Sequence, residues 1–320
     1  MFLAHSPLRV SFFGGGTDYP SWFNKYGGRV IGTSVDRYCT WAFNIKSDYL
    51  VDINCKDIEL VNSLSHYLNL EIPEIDSLST NIHSYLNKGA GASSATINSL
   101  IGLLLKLSQK EYTPLEISKL TTKYEQNILG KNVGCQDQLL SAIGGFNRID
   151  FENDGGIKVE NLNFGIVEQL KEDLYLIDTC VRRNARDVIH DYTQSCNTVS
   201  PHLHDLMSIV DEVTSVIKKD LDIEIFAKYL DESWKIKKEM SSKMTNADID
   251  DLYSVLKRNG CLGAKLLGAG GGGYFAAIIP KTEMPKIQMA LPKLNIEKVS
   301  PESNGLFIQG EESLSNIGLV

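Results

Sequence analysis

The chain has 320 residues, 42% hydrophobic and 22% charged, the balance of a globular protein with enough sequence for a sizeable core and two domains. Its net charge of −8 at pH 7 argues against a general nucleic-acid or anionic-membrane binder. An anionic substrate stays open, because a few local Arg and Lys side chains decide that. No apolar run approaches the ~18 residues of a membrane helix. The opening Met-Phe-Leu-Ala-His-Ser-Pro lacks the basic and apolar regions of a signal peptide. The six cysteines (Cys39, Cys55, Cys135, Cys180, Cys196, Cys261) are scattered with no C-x-x-C pair, as expected of reduced thiols in a cytoplasmic protein. His202 and His204 form an isolated His-x-His, read as a surface helix start rather than a metal site.

In chain order, Leu8 to Phe13 reads as a strand that runs into Gly14-Gly15-Gly16-Thr17-Asp18-Tyr19-Pro20. Three glycines after a strand allow a close backbone approach. Arg9 before the turn and Asp18 after it suit a phosphate and a polyol. Asp18 equally fits a cap for the helix Pro20 to Tyr26. Arg29 to Ile45 and Tyr49 to Val61 read as strands, the second from the alternation of Val51, Ile53 and Cys55 with polar residues. Leu64 to Leu70 and Asn81 to Leu86 read as short helices.

Next comes Lys88-Gly89-Ala90-Gly91-Ala92-Ser93-Ser94-Ala95, followed by Thr96 to Leu107, apolar nearly all round and therefore a buried helix. A glycine-rich turn entering a helix N-terminus offers unpaired N–H donors and the positive end of a dipole, hence an anion site. Ser93 and Ser94 add hydroxyls for Mg²⁺ or a phosphate oxygen. By itself the pattern also fits a simple helix cap. Thr113-Pro114-Leu115-Glu116 is a capping box. Its helix carries Leu120, Tyr124 and Ile128 on one face with Glu125 beside that face, and stops at Gly130. Asp137 falls in the first turn of a short helix, between Gln136 and Gln138. It suits a base for a hydroxyl nucleophile, or simply the helix dipole.

Phe146 to Phe151 and Leu174 to Asp178 read as strands, with a turn at Asn153-Asp154-Gly155-Gly156. Helices are expected over Arg183 to Cys196, His204 to Lys219, Ile223 to Ser242 and Asp248 to Asn259. Arg182, Arg183 and Arg186 suit a second substrate phosphate or a solvated face. The run Gly268 to Gly273 formally matches G-x-G-x-x-G but leads into the strand Tyr274 to Ile279, not a helix, which excludes a Rossmann fingerprint. It suits two backbones meeting at a domain junction or beside a phosphate. Lys281 to Leu291 reads as a helix and Gly305 to Gln309 as an edge strand.

Three stretches together resemble the GHMP kinase superfamily, the group of galactokinase, homoserine kinase, mevalonate kinase and phosphomevalonate kinase. They are Pro7 to Tyr19, Gly89 to Ala95 and Leu267 to Gly273, in the family's order and usual spacing. Within that family, Gly-Gly-Gly-Thr-Asp-Tyr and Gln136-Asp137-Gln138 resemble the kinases of D-glycero-D-manno-heptose 7-phosphate. Fucokinase shares some of these features. The second motif departs from the family's Gly-Leu-Gly-Ser/Thr-Ser, with Ala90 for the Leu and Ala92 for a hydroxyl residue, so either serine is open as the Mg²⁺ ligand.

The resemblance implies an α+β two-domain fold. Residues 1–170 would form a nucleotide- and sugar-binding domain like ribosomal protein S5 domain 2. Residues 171–320 would form a ferredoxin-like domain. It implies Asp137 as the catalytic carboxylate and Arg9 as a transition-state cation. Lys88, Gly89, Ala90, Gly91, Ala92, Ser93 and Ser94 would cradle the triphosphate, and Ser93, Ser94 and Glu125 would hold Mg²⁺. Gly15, Gly16, Thr17, Asp18 and Gly271 would meet the sugar, and Arg183 its 7-phosphate. The implied reaction is ATP-dependent phosphorylation of the anomeric hydroxyl, serving GDP-heptose synthesis. Expected partners are ATP and a phosphorylated heptose, without nucleic acid or membrane, and a homodimer is among the expected assemblies. Two other readings stay open: a kinase of an unphosphorylated sugar such as fucose or galactose, and a non-catalytic sugar and nucleotide sensor on the same fold.

Overall fold

The computed structural model describes residues 2–44, 55–71, 77–81, 88–162, 164–181, 196–219 and 222–310. Its two longest strands, β1 (Phe2–Phe13) and β2 (Gly28–Asn44), pair antiparallel. Between them lies α1 (Pro20–Tyr26), with Pro at its first positions and Gly27 closing it at φ 69°. α2 (Cys55–Leu68) corrects the strand expected over Tyr49 to Val61, whose residues 49–54 lie outside the described part. The alternation there spans only six residues. The helical spacing of Val61, Leu64 and Leu68 outweighs it, and Val61 and Leu64 are buried. The helix expected from Leu64 is the end of α2. The one expected at Asn81 to Leu86 falls outside the described residues beyond Asn81. The short β3 (Ser77–Thr80), with no apolar run to announce it, pairs with β2.

α3 (Ala92–Leu107) is buried throughout except at Ser93 and Lys106, as its all-round apolar sequence requires. α4 (Pro114–Lys123) opens with the reciprocal Thr113–Glu116 capping box and passes directly into a π-helical turn, Tyr124–Ile128. α5 (Gln136–Ile143) comes next, then the hairpin of β4 (Phe146–Phe151) and β5 (Ile157–Asn161). Among the described residues the first sheet is six-stranded and antiparallel in the order β10 (Phe307–Gly310), β1, β2, β4, β5, with β3 on β2. Its last strand, β10, returns from the far end of the described chain to the edge beside β1.

α6 (Ile166–Asp173) leads to β6 (Leu174–Asp178). Among the described residues three helices come after it: α7 (Cys196–Ile217), α8 (Ile223–Glu239) and α9 (Ala247–Arg258). The helix expected over Arg183 to Cys196 lies outside the described residues up to 195. Then come β7 (Gly263–Leu266), β8 (Tyr274–Ile278), α10 (Met284–Ala290) and β9 (Ile296–Lys298). The second sheet is four-stranded in the order β7-β8-β6-β9, all antiparallel. Strand, helices, two strands, helix, strand, with the first strand beside the third and fourth, is the ferredoxin-like pattern. A boundary between residues 170 and 171 remains a proposal; it falls inside α6, just before β6.

Alternation along β1 sets the site. Leu8, Val10 and Phe12 join a core that also holds residues of α7, α8, β6 and β8, and Phe12 meets Phe226 edge-on at 5.0 Å. Arg9 and Ser11, between them, bond to residues of α5. One apolar cluster thus joins the two sheets, and the polar face of β1 is left for chemistry.

Candidate active site

The glycine-serine loop is pinned to both sheets. The Arg9 N–H donates to the Ala90 carbonyl at 3.1 Å, and the Tyr274 N–H donates to the Lys88 carbonyl at 2.8 Å. The late glycine run makes the second contact possible. A Cβ on Gly273 (φ 103°) would lie 2.5 Å from the Lys88 carbonyl oxygen, and one on Gly89 (φ 80°) 2.7 Å from that of Leu267. The run therefore lets two backbones meet between the halves of the molecule. The Lys88 ammonium turns to the second sheet, 2.8 Å from an Asp178 carboxylate oxygen and 3.3 Å from the Tyr274 hydroxyl.

Gly91 caps α3 in the left-handed region at φ 76°, and no side chain caps the helix. The first-turn N–H groups of a helix have no partner within it, so this end suits an anion. Ala90 and Ala92 are buried beneath the loop. Ser93 is exposed and Ser94 buried.

Glu125 is 1% exposed. It accepts hydrogen bonds from Ser94 Oγ at 2.7 Å, Ser93 Oγ at 3.2 Å, Gln138 Nε2 at 2.6 Å and Lys131 Nζ at 2.9 Å. Its burial follows the regular spacing of α4, where Ser118 and Thr121 are buried seven and four residues before it, and the π-turn acts on the residues that come next. Regular spacing groups Ile128 with buried Tyr124, yet Ile128 is 53% exposed. The Leu129 N–H reaches the Tyr124 carbonyl at 3.0 Å, five residues back. The extra residue in that turn rotates the chain beyond it, so Ile128 faces solvent, while Glu125 ahead of it reaches Ser93 and Ser94 of α3 and Gln138 of α5. A buried carboxylate beside two hydroxyls is a hard oxygen set that fits Mg²⁺. Among the described residues no group of three or more His, Cys, Asp or Glu side chains is placed to hold a metal ion. A metal here would therefore complete its shell with nucleotide phosphates and water, which is usual for Mg²⁺.

Asp137 lies in the first turn of α5. Arg9 grips it with both arms, Nε to Oδ1 at 2.9 Å and Nη2 to Oδ2 at 2.6 Å, and also donates from Nη1 to the Gly89 carbonyl. The Arg9 side chain is 3% exposed and that of Asp137 31%. A bidentate pair fixes the carboxylate plane while leaving Asp137 within reach of a ligand.

Asp18 is buried beside it and accepts from the N–H groups of Gly16 at 3.0 Å and Gln136 at 3.1 Å. Burial, then the charge of Asp137, pushes its carboxyl up from the ordinary value, against those N–H donors. Ser11 Oγ donates to Gln136 Oε1 at 2.7 Å, and a Cβ on Gly15 would press on both side chains. The Thr17 hydroxyl is turned inward onto Gly14 and Arg29. Gly271 donates its N–H to Met244 at 2.7 Å. Arg183, with Arg182 and Arg186, lies outside the described residues.

Gly134 is fixed by Asp18, since a Cβ there would sit 1.9 Å from Asp18 Oδ2. Gly134→Ala is expected to cost about 1–3 kcal/mol by forcing that carboxylate aside. An unchanged melting temperature would show that Asp18 is not held as described.

Sequence reasoning missed several members of the site. Gln138 and Lys131 bond Glu125, and Gln136 bonds Asp18. Lys265, fully buried on β7, donates to the carbonyls of Ser11 and Phe12 at 3.1 and 2.7 Å and braces the start of the glycine turn. Burial and the nearby Lys237 and Arg9 cations push its ammonium far down. The polar neighbours of Asp137 hinted at Gln136 and Gln138; no local pattern marks Lys131 or Lys265. His202 and His204 lie inside α7, which begins at Cys196 and not at the histidines as expected, and exposed His204 packs edge-on against Trp22 at 5.0 Å.

Comparison with known proteins matches the family model for the GHMP kinases N terminal domain at residues 58–145 and that for GHMP kinases C terminal at residues 216–296. Together they span more than half of the chain. The D-glycero-alpha-D-manno-heptose 7-phosphate kinase of Campylobacter jejuni is 27% identical over 90% of this chain and 92% of its own length. The mevalonate kinase of Thermococcus sibiricus is 28% identical over 71% of this chain and 68% of its own. The crystal structure of a D-glycero-D-manno-heptose 1-phosphate kinase from Bacteroides thetaiotaomicron superposes with a TM-score of 0.77 at 20% identity, over 98% of this chain and 100% of its own, and so shares the fold. No helix among the described residues is long and apolar enough to cross a membrane. Both halves match one family in its own order, and the chain therefore belongs to the GHMP kinases, which are ATP-dependent phosphotransferases.

Proposed function

We propose that this kinase transfers the γ-phosphate of ATP to the anomeric hydroxyl of D-glycero-α-D-manno-heptose 7-phosphate, giving the 1,7-bisphosphate for GDP-heptose synthesis in the cytoplasm. The observation that carries the reading is the clamp of buried Arg9 on half-buried Asp137 beside the anion-binding loop. The choice of acceptor is supported by the name of the Campylobacter jejuni relative, which aligns with nearly the whole chain.

In this mechanism Asp137 orients the O1 hydroxyl and takes its proton as the bond to phosphorus forms. Arg9 holds the carboxylate in one orientation and adds positive charge beside the transferring group. The N–H groups from Gly89 to Ser94 cradle the phosphates. Ser94 and Glu125, with Ser93 at the rim, are the residues to hold Mg²⁺, which would neutralise phosphate charge when bound. Asp18 and the backbone of the turn Gly15 to Thr17 contact sugar hydroxyls in this reading, the Thr17 hydroxyl itself bracing the turn from inside, and Gly271 is assigned to the same ligand. The Asp18 carboxylate oxygens accept hydrogen bonds, and that suits the hydroxyl donors of a polyol.

Arg183 binds the 7-phosphate in this reading. Arg183→Ala is expected to raise KM for the phosphorylated acceptor about tenfold or more and to leave KM for ATP unchanged. Equal effects on both substrates would return the arginine cluster to a solvated face.

The test is ADP release with Mg·ATP over a panel of acceptors: heptose 7-phosphate, heptose 1-phosphate, free mannoheptose, fucose, galactose and mevalonate. Turnover with heptose 7-phosphate alone supports the proposal. Turnover with a free sugar removes the 7-phosphate pocket but keeps the sugar kinase. Binding without ADP release from any acceptor would leave a silent sensor.

A further inference from the structure

The Glu125 cluster already contains a cation. Lys131 Nζ lies 2.8 Å from Ser93 Oγ and 2.9 Å from Glu125 Oε1, oxygens of the set assigned above to Mg²⁺. Its backbone is tied to the same turn, with the Lys131 N–H donating to the Glu125 carbonyl at 2.9 Å. The two ends of the ion pair differ in burial. The Glu125 side chain is 1% exposed, while that of Lys131 is 29% exposed and reaches in from the surface. The bend before it, Gly130 at φ 58°, faces open space.

A buried carboxylate without a counter-charge is strongly unfavourable. A lysine ammonium and a divalent ion compete for the same hard oxygens, and two cations cannot hold them together at contact distance. The buried donors Ser94 and Gln138 have no such conflict and keep their hydrogen bonds to the other oxygen, Oε2. Lys131 can leave for water, because its side chain is already 29% exposed and a lysine stem turns its ammonium outward readily.

We propose that Lys131 is a displaceable counter-cation of Glu125. It fills the metal's place in the nucleotide-free enzyme, keeps the buried carboxylate paired, and weakens binding of free divalent ions until they arrive with nucleotide. This rests on the reading of Glu125 as a metal ligand. Lys131 is a positioning residue in this role and need not touch either substrate.

The test uses the full chain without nucleotide, with Mn²⁺ alone as the probe, read by loss of the free-ion EPR signal. Melting is followed in parallel in EDTA and in Mg²⁺. Lys131→Met is expected to bind Mn²⁺ on the order of tenfold more tightly than the wild type. It should melt lower in EDTA and recover in Mg²⁺, whereas the wild type should respond little. Lys131→Arg should melt like the wild type in EDTA, since its charge remains. Lys131→Gln serves in place of the methionine variant if that chain does not fold. Unchanged or weaker Mn²⁺ binding in the neutral variants would overturn the proposal, and weaker binding would make Lys131 a helper of the metal instead. Glu125→Gln separates the two readings. If it abolishes Mn²⁺ binding while the neutral Lys131 variants bind no better than wild type, only the Lys131 proposal falls. If Glu125→Gln in the Lys131→Met background binds as tightly as Lys131→Met alone, the assignment of Glu125 falls and takes the proposal with it.

Discussion

Asp137→Asn is expected to lower kcat by about 10²–10⁴ while leaving KM for ATP close to its original value. The amide still accepts a hydrogen bond, so α5 and its first turn should persist. It can no longer take a proton from the acceptor hydroxyl. A small stability loss should accompany the change. The Arg9 side chain is almost fully buried and would keep only the Gly89 carbonyl and part of its former partner. The loss of a charged partner at such a site costs about 1–3 kcal/mol, toward the lower end because Asp137 itself is 31% exposed. Near-wild-type turnover would remove Asp137 from the chemistry, whatever the melting temperature did.

Arg9→Met is expected to lower kcat by about 10³ or more, because one side chain carries two connections. It holds both oxygens of Asp137 and donates to the Gly89 carbonyl of the glycine-serine loop. Its loss frees the carboxylate to rotate and loosens the loop, so KM for ATP should rise as well, unlike the result for Asp137→Asn. The decisive form is a double-mutant cycle. If Arg9 acts largely by positioning Asp137, the double variant should lose little beyond the worse single variant. Multiplying losses would mean that Arg9 acts independently, as charge on the transferring group alone. Steady-state kinetics on four proteins separates these outcomes.

Much of the fold is readable in the sequence where period and punctuation agree. The capping box at Thr113, the proline and glycine at the ends of α1, and the all-round apolar run of α3 each state their element locally. The Tyr49 to Val61 strand failed because a six-residue alternation is weaker than the helical spacing that overlaps it. β3 and β7 carry too little apolar sequence to announce themselves, and the neighbours they pair with define them. The site divides in the same way. Glycine turns and a first-turn aspartate are local signals, and the residues they mark do converge. The bidentate Arg9–Asp137 pair joins residues 128 positions apart, so only the fold reveals it. Glu125 shares a buried helix face with Ser118 and Thr121, but polar residues at that spacing do not announce a core face, and the π-turn turns Ile128 away from the face that regular spacing predicts for it. Lys131 and Lys265 look like ordinary lysines in the sequence and gain meaning only from the groups they touch.

The proposed reaction is phosphoryl transfer to the anomeric oxygen of a heptose already phosphorylated at position 7. The most direct measurement is ³¹P NMR of the product formed from heptose 7-phosphate and Mg·ATP, with coupling to the sugar protons. The expected result is a new phosphate signal coupled to the anomeric proton, with the 7-phosphate signal retained and ADP formed in equal amount. A new phosphate coupled to any other ring proton, or no new sugar phosphate while another acceptor on the panel is consumed, would contradict it.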